Sequence, residues 1–388
     1  MRRRDAFTNE RLFVTDVGLD QFGPPEIVDI EPIHTCNFRC VMCHVSQERL
    51  THTAIDVEAL RRSIASLPLR DRWAVVGATH EPTMHPQFDE IIAILTEAGM
   101  KIDLTTNGSL FTDKLIDKIR GGNFARVTIS FDGATAETYE KIRRRANFQR
   151  TVDHVLAFKE AIGNANTYYT LNYTMTKSNV DEIDDAVDMW EDYSFDHISF
   201  IAMVLRSDAP EAVAERLDNV QDDVKATLLG AARRIIETPL RITASSSVFN
   251  GSDLGKLYPK NVIGNLIVSD HPDAVHAANC RPYFQEGYYP DVPVGCRSPY
   301  KHVRIAFDGE VRLCFDKFGV GNINRQMLSD IWYGGGSVGV RQSIKADHAI
   351  CQHCDFFKFC IHASSIDTDD KKNWVSEDLR QKLSLIHI

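Results

Sequence analysis

The stretch Glu26-Ile27-Val28-Asp29-Ile30-Glu31-Pro32-Ile33-His34-Thr35-Cys36-Asn37-Phe38-Arg39-Cys40-Val41-Met42-Cys43 decides how the rest of the chain is read. It opens as an apolar, β-branched run over Glu26–Ile33, which predicts a strand. Three cysteines follow at once, Cys36, Cys40 and Cys43. Their spacing puts the thiolates on one side of a tight loop or helical turn, where they converge on one centre. Thiolates are the usual ligands of iron–sulfur clusters. Three of them satisfy three irons of a 4Fe–4S cube and leave the fourth iron open, much as catalytic zinc sites keep a position open. Zinc, a redox pair at Cys40 and Cys43, or buried free thiols are the competing readings.

Outward from this loop, strand-like runs alternate with amphipathic ones. Further strands are predicted at Trp73–Thr79, Lys101–Asn107, Arg126–Asp132, Tyr168–Met175 and His197–Val204. Helices are predicted at Asp56–Leu67, Gln87–Ala98, Asp113–Arg120, Ala136–Ile162 and Val180–Tyr193. Strand and helix in alternation imply an α/β fold, a parallel sheet with helices outside. Six such units fall short of the eight that close a full barrel, so a partial (β/α)6 barrel is expected. From 206 to 295 the pattern loosens into a connecting region or lid, with a helix expected at Asn219–Glu237 and an aromatic-rich run at Tyr283–Tyr289. A cysteine-rich module over 296–365 is built on a hairpin, Tyr300–Phe307 and Glu310–Phe315 about a turn at Asp308-Gly309. Residues 1–25 and 366–388 are read as an N-terminal extension and a polar tail.

Bulk composition narrows the function classes. The 388 residues are 43% hydrophobic and 25% charged, ordinary globular proportions, with a formal net charge of −10. An acidic surface repels phosphates and anionic lipid, so neither nucleic acid nor a membrane is an expected partner. Arg2, Arg3 and Arg4 are followed by Asp5 and not by an apolar core, which argues against a signal peptide and for the cytoplasm. Nine cysteines, an odd number in such a chain, point to metal or redox chemistry over a disulfide framework.

The Cys-x3-Cys-x2-Cys of residues 36–43 resembles the signature of the radical S-adenosylmethionine (SAM) superfamily. The resemblance implies a partial barrel, a 4Fe–4S cluster whose open iron chelates SAM, and reductive cleavage to a 5′-deoxyadenosyl radical. Gly77-Ala78-Thr79-His80-Glu81-Pro82 is similar to the family's Gly-Gly-Glu-Pro segment, with His80 where a glycine usually stands. Thr105-Thr106-Asn107-Gly108 and Ser130-Phe131-Asp132-Gly133 stand at strand ends, where such barrels carry their chemistry. The resemblance thus implies SAM contacts from Met42, Gly77, Glu81, Asn107, Ser130, Asp132 and Arg143. Arg144 and Arg145 are the neighbouring choices for the arginine, whose fork suits a carboxylate.

The C-terminal module resembles the SPASM and twitch domains, which bind auxiliary 4Fe–4S clusters. Its candidate ligands are Cys296, Cys314, Cys351 and Cys354, with Cys360 as substitute; Ser364 stands where a full SPASM domain has another cysteine. One auxiliary cluster is the better count, and a four-thiolate structural zinc is the rival. Asp316 and Cys280 are catalytic candidates, as a proton acceptor and as a hydrogen-atom donor; His80 and His85 are alternative bases. The expected activity is a two-electron oxidation of a small polar metabolite, sugar- or aminocyclitol-like, with a flavodoxin- or ferredoxin-type electron donor. Maturation of a ribosomally made peptide, and redox-neutral epimerisation through Cys280, are the alternative enzymes. A non-catalytic metal scaffold is the alternative from another class.

Overall fold

The computed structural model describes residues 23–203, 209–216, 241–245, 266–269, 298–313 and 318–346. The strands are β1 (Ile27–Ile30), β2 (Arg39–Cys40), β3 (Trp73–Val76), β4 (Lys101–Thr106), β5 (Phe124–Ser130), β6 (Arg143–Arg144) and β7 (Tyr168–Met175). They continue with β8 (His197–Ala202), β9 (Arg241–Ser245), β10 (Leu266–Ser269), β11 (His302–Ile305), β12 (Glu310–Leu313) and β13 (Phe318–Asn322). Except for the short β2–β6 ribbon they form one sheet in the order β10-β9-β8-β7-β5-β4-β3-β1-β11-β12-β13. Every pairing from β10 to β11 is parallel, and β12 and β13 are antiparallel additions.

The six expected strand–helix units are present as a partial barrel, and their helices start where short polar side chains cap them. Asp56 accepts a hydrogen bond from the Ala59 amide at 2.8 Å before α1 (Val57–Ala65). Gln87 precedes α2 (Phe88–Glu97), and Thr112 caps α3 (Asp113–Ile119). The stretch Ala136–Ile162, expected as one helix, is two: α4 (Ala136–Ile142), capped by Thr135, and α5 (Phe148–Ile162), capped by Asn147. Between them Arg143 turns inward and Arg145 takes a positive φ of 73°. The helix α6 (Ile183–Asp192) follows β7 in the fifth unit, and the short helix α7 (Pro210–Ala214) follows β8 in the sixth.

Alternation along the strands sorts two environments. Val28, Ile30, Ala74, Val76, Ile102, Leu104, Val127, Ile129, Leu171 and Tyr173 join one apolar core with the helices. The intervening positions are polar and also buried: Asp29, Asp103, Thr105, Arg126, Thr128, Thr170, Asn172 and Ser199. The barrel interior is therefore lined by hydroxyls, amides and paired charges. Arg126 donates from Nε to Asp103 Oδ1 at 2.9 Å on the neighbouring strand.

The sheet differs from expectation at both edges. β9 and β10 extend it in parallel from a region whose sequence gave no regular pattern, and β13 adds a third strand to the hairpin. The helix expected at Asn219–Glu237 and the run Tyr283–Tyr289 lie outside the described residues. The hairpin β11–β12 continues the barrel sheet through β1. Two side chains lock that joint: Lys301 Nζ meets Glu26 at 2.9 Å, and Arg304 meets Glu31 at 3.1 Å. No helix among the described residues is long and apolar enough to cross a membrane.

Arg304 is 4% exposed and faces two buried acids, Glu31 and Asp29. Removing one partner of a buried ion pair costs about 3–5 kcal/mol because the other charge is left uncompensated. Arg304→Met is expected to lower the unfolding free energy from urea denaturation by a corresponding amount; a value within about 0.5 kcal/mol of wild type would contradict the joint.

Candidate radical SAM active site

The cysteine loop sits at the C-terminal end of β1 and is tied down from several sides. Cys40 pairs with Arg143 in the β2–β6 ribbon, and the Val41 amide donates to the Ile142 carbonyl at 2.9 Å. The Arg39 guanidinium donates to the Cys36 and Phe38 carbonyls at 2.8 Å each, curling the loop on itself. Ser46 donates to the Cys40 carbonyl at 2.7 Å. From the barrel side, Asn107 donates to Asn37 at 2.9 Å, Asn37 donates to Ser109 at 2.9 Å, and Ser109 donates back to Asn107 at 2.6 Å. This closed amide–hydroxyl ring fastens the residue after Cys36 to the end of β4.

Beneath the loop lies Glu81, 2% exposed. Its Oε1 accepts from the Thr83 amide at 3.2 Å, from the Thr83 hydroxyl, and from Thr106 Oγ at 2.6 Å. Its Oε2 accepts from the Asn107 amide at 2.8 Å, which leaves a lone pair on that oxygen. Burial pushes the carboxyl's pKa up, and these donors oppose it. The Glu81 amide donates to the Thr35 carbonyl at 3.0 Å, coupling the two loops through their backbones. Gly77 makes the approach possible. It has φ +84°, and a Cβ there would stand 2.4 Å from Pro82 and 2.7 Å from the Thr105 carbonyl oxygen.

The third wall is the β5 end. Asp132 is wholly buried and accepts from the Thr174 amide at 2.6 Å, and Arg143 meets it at 2.6 Å. Burial alone would push the guanidinium's pKa down, but Asp132 and Cys40 outweigh it and hold it up, so Arg143 stays charged behind the cysteine loop. Among the three consecutive arginines, Arg143 alone is buried; Arg144 and Arg145 are exposed. Ser130 sits level with Asn172 across β5 and β7. The Asn172 Oδ1 and Thr170 Oγ atoms are buried in the interior without hydrogen-bond partners. Sequence reasoning missed Asn172, Asn37 and Glu31; an asparagine inside an otherwise strand-forming run was the available signal for the first.

His85 is held on both sides of its ring. Its Nδ1 accepts from the Gln87 amide at 3.1 Å and its Nε2 faces the Ile55 carbonyl at 3.2 Å, so both nitrogens are committed. His80 sits by Glu31, and Met42 is partly buried beside Cys43. Asp316, Cys280, Cys296, Cys314, Cys351, Cys354 and Cys360 lie outside the described residues.

The donor set fits a cluster. Cys36, Cys40 and Cys43 are free thiols. Burial pushes Cys36 up to about 12, with Glu81 adding to the shift, and raises Cys40 further. Such thiols ionise only when a cation takes the place of the proton, as metal ligation does. The three sulfurs do not crowd to single-ion distances: among the described residues the one group of three whose ligand atoms all lie within 4.8 Å of one another is His34, Glu48 and His80. Anaerobically reconstituted protein is expected to hold about eight irons, and the triple alanine variant of Cys36, Cys40 and Cys43 about four. Equal iron in the two would contradict ligation by this loop.

Two family models match the chain. Residues 30–189 match the radical SAM superfamily, and residues 296–355 match SPASM, an iron–sulfur cluster-binding domain. The AdoMet-dependent heme synthase of Methanosarcina barkeri (strain Fusaro / DSM 804) is 27% identical over 194 residues, covering 49% of this chain and 54% of that protein. A probable GTP 3',8-cyclase of Saccharolobus islandicus (strain L.S.2.15 / Lassen #1) is 26% identical over 187 residues, 48% of this chain and 59% of that protein. The chain thus spans little more than half the length of these relatives. The Fe-coproporphyrin III synthase of the same Methanosarcina strain is 22% identical over 338 residues, 84% of this chain and 79% of that protein. Streptococcus suis SuiB bound to S-adenosylmethionine shares the fold, with a TM-score of 0.57 at 19% identity, covering 87% of this chain and 72% of that one. With the thiol loop in the first match and Cys296, Cys314, Cys351 and Cys354 in the second, the chain carries a radical SAM domain followed by a C-terminal SPASM iron–sulfur cluster-binding domain.

Proposed function

We propose that this radical SAM enzyme oxidises a small polar metabolite, sugar- or aminocyclitol-like, by two electrons. When bound, SAM and its cluster supply the hydrogen-abstracting 5′-deoxyadenosyl radical, and an auxiliary cluster supplies an electron acceptor. The chain's own residues orient and shield that chemistry. Cys36, Cys40 and Cys43 hold the cluster, and the Oε2 lone pair of Glu81 suits the SAM ammonium. Gly77 keeps backbone close, and Asn107 holds the cysteine loop in register. Asp132 keeps Arg143 behind Cys40, where its charge favours thiolate. We assign the auxiliary ligands to Cys296, Cys314, Cys351 and Cys354, and the substrate proton to Asp316. The single observation that carries the reading is the thiol loop over a polar barrel interior whose Asn172 and Thr170 oxygens are unpaired. Buried polar atoms of this kind call for a polar ligand.

A second reading is favoured by one observation. The match to the Fe-coproporphyrin III synthase runs through 84% of the chain, much further than the other two relatives. It supports an iron porphyrin as the product, formed from a related iron tetrapyrrole.

The test is turnover in deuterated solvent with the cluster-loaded, reduced enzyme, offered a panel of aminocyclitols and sugars and, separately, a panel of iron tetrapyrroles. The expected product carries a new carbonyl and no solvent deuterium at the attacked carbon. A folded Cys314→Ala variant is expected to consume SAM without forming it, and Cys280→Ala to behave as wild type. Deuterium gained without net oxidation, abolished in Cys280→Ala, would overturn the oxidation in favour of epimerisation. Turnover of the iron tetrapyrroles alone, with an iron porphyrin formed, would overturn the substrate class.

A further inference from the structure

At the mouth of the barrel, outside the thiol loop and Glu81, a second group of ligand-type side chains converges. His34, Glu48 and His80 each bring one ligand atom within 4.8 Å of the others. Glu48 Oε2 lies 3.4 Å from His34 Nε2 and 3.8 Å from His80 Nε2. Two ligands at about 2.0–2.1 Å from a tetrahedral ion stand about 3.4 Å apart, so these separations are those of one coordination sphere. They are poor as hydrogen bonds, the second being too long to count as one.

The decisive atom is His80 Nε2. The side chain is 5% exposed, and Nε2 is buried without a hydrogen-bond partner. On the other side of the ring, Nδ1 lies 3.3 Å from Glu31 Oε1. A carboxylate only accepts, so the Nδ1 proton is the one that pairs with it, and Nε2 presents a lone pair. That lone pair faces a carboxylate oxygen. Two lone pairs aimed at each other call for a proton or a metal cation between them. Glu31 in turn is held by Arg304 at 3.1 Å and by the Thr79 and His80 amides at 3.0 and 2.9 Å. A carboxylate on the far nitrogen of an imidazole is the arrangement that orients metal-binding histidines. The His34 ring is held on its far side: its Nδ1 accepts from the Thr51 amide at 3.2 Å and lies 2.9 Å from the Thr51 hydroxyl, which can accept the ring proton when an ion takes Nε2, and the ring stacks on Phe307 at 4.5 Å between centroids.

We propose that His34, Glu48 and His80 form a mononuclear site for a divalent first-row transition ion, with Glu31 and Thr51 orienting its two imidazoles. Two histidines and one carboxylate suit zinc or ferrous-type ions and leave coordination positions free for an oxygen or nitrogen donor of a ligand. Glu48 is 38% exposed on its side chain, so those positions open toward solvent. The site goes beyond the function proposed above and does not depend on it.

The test uses full-length, cluster-loaded protein, so that cysteines are occupied, with the clusters in their oxidised, EPR-silent state. Manganese(II) is the probe, because it disfavours thiolates and its free ion is counted by EPR; zinc(II), which binds such sites more tightly, is then added as competitor. Wild type is expected to take up about one manganese per chain and release it to zinc. Glu48→Gln, at a half-exposed position that folding tolerates, is expected to weaken uptake about tenfold or more, and His80→Ala to abolish it. The exposed Glu58→Gln is the control and is expected to match wild type. Far-UV circular dichroism and iron content establish that each variant is folded. No saturable uptake by wild type, or undiminished uptake in folded Glu48→Gln, would overturn the site and mark the cluster as an imidazolium–carboxylate pair.

Discussion

The buried carboxylate of Glu81 organises this active site. Sunk at the ends of β3 and β4, it collects donors from Thr83, Thr106 and Asn107, while its own amide reaches the Thr35 carbonyl in front of Cys36. An unpaired carboxylate at that depth is prohibitively costly, so the loops around it have little freedom. Their conformation fixes Asn107, whose ring of hydrogen bonds with Asn37 and Ser109 fixes the cysteine loop in turn. Gly77 is the steric condition of the whole arrangement, since Pro82 packs where its side chain would be.

Charge is distributed about the loop with a consistent logic. Among the described residues Arg143, behind Cys40, is a buried cation that offsets thiolate charge there, and Asp132 holds it in place. On the opposite flank Glu31 and Asp29 are acidic, balanced by Arg304 from the C-terminal hairpin, whose His302 Nε2 also lies 3.7 Å from Asp29. The hairpin therefore does more than lead into the SPASM cysteines. It closes the edge of the barrel beside β1 and supplies Phe307 to the mouth.

Much of this was legible in the sequence because periodicity and turn chemistry report local structure well. The strand Tyr168–Met175 was read with its observed ends, and the Asp56, Thr112 and Thr135 caps mark real helix starts. The break between α4 and α5 was not legible. Amphipathic spacing runs on through Arg143, and only the tertiary pairing with Asp132 pulls that residue inward and stops the helix. The strands β9 and β10 were missed for a related reason: each is short, and its place in the sheet is set by a parallel neighbour far away in sequence. At the site, the cysteine spacing and the Glu-Pro segment were readable as motifs, whereas Asn37 and Glu31 act through partners in other strands or loops and carry no local signature.

Every element of the account converges on one claim, that the loop of Cys36, Cys40 and Cys43 holds a cluster that cleaves SAM. The most direct measurement is 5′-deoxyadenosine released by the anaerobically reconstituted, dithionite-reduced protein, quantified by chromatography and mass spectrometry. The account predicts release by wild type and none by a folded Cys43→Ala variant. A fully cluster-loaded wild type that forms no 5′-deoxyadenosine, or a Cys43→Ala variant that forms as much, would contradict it.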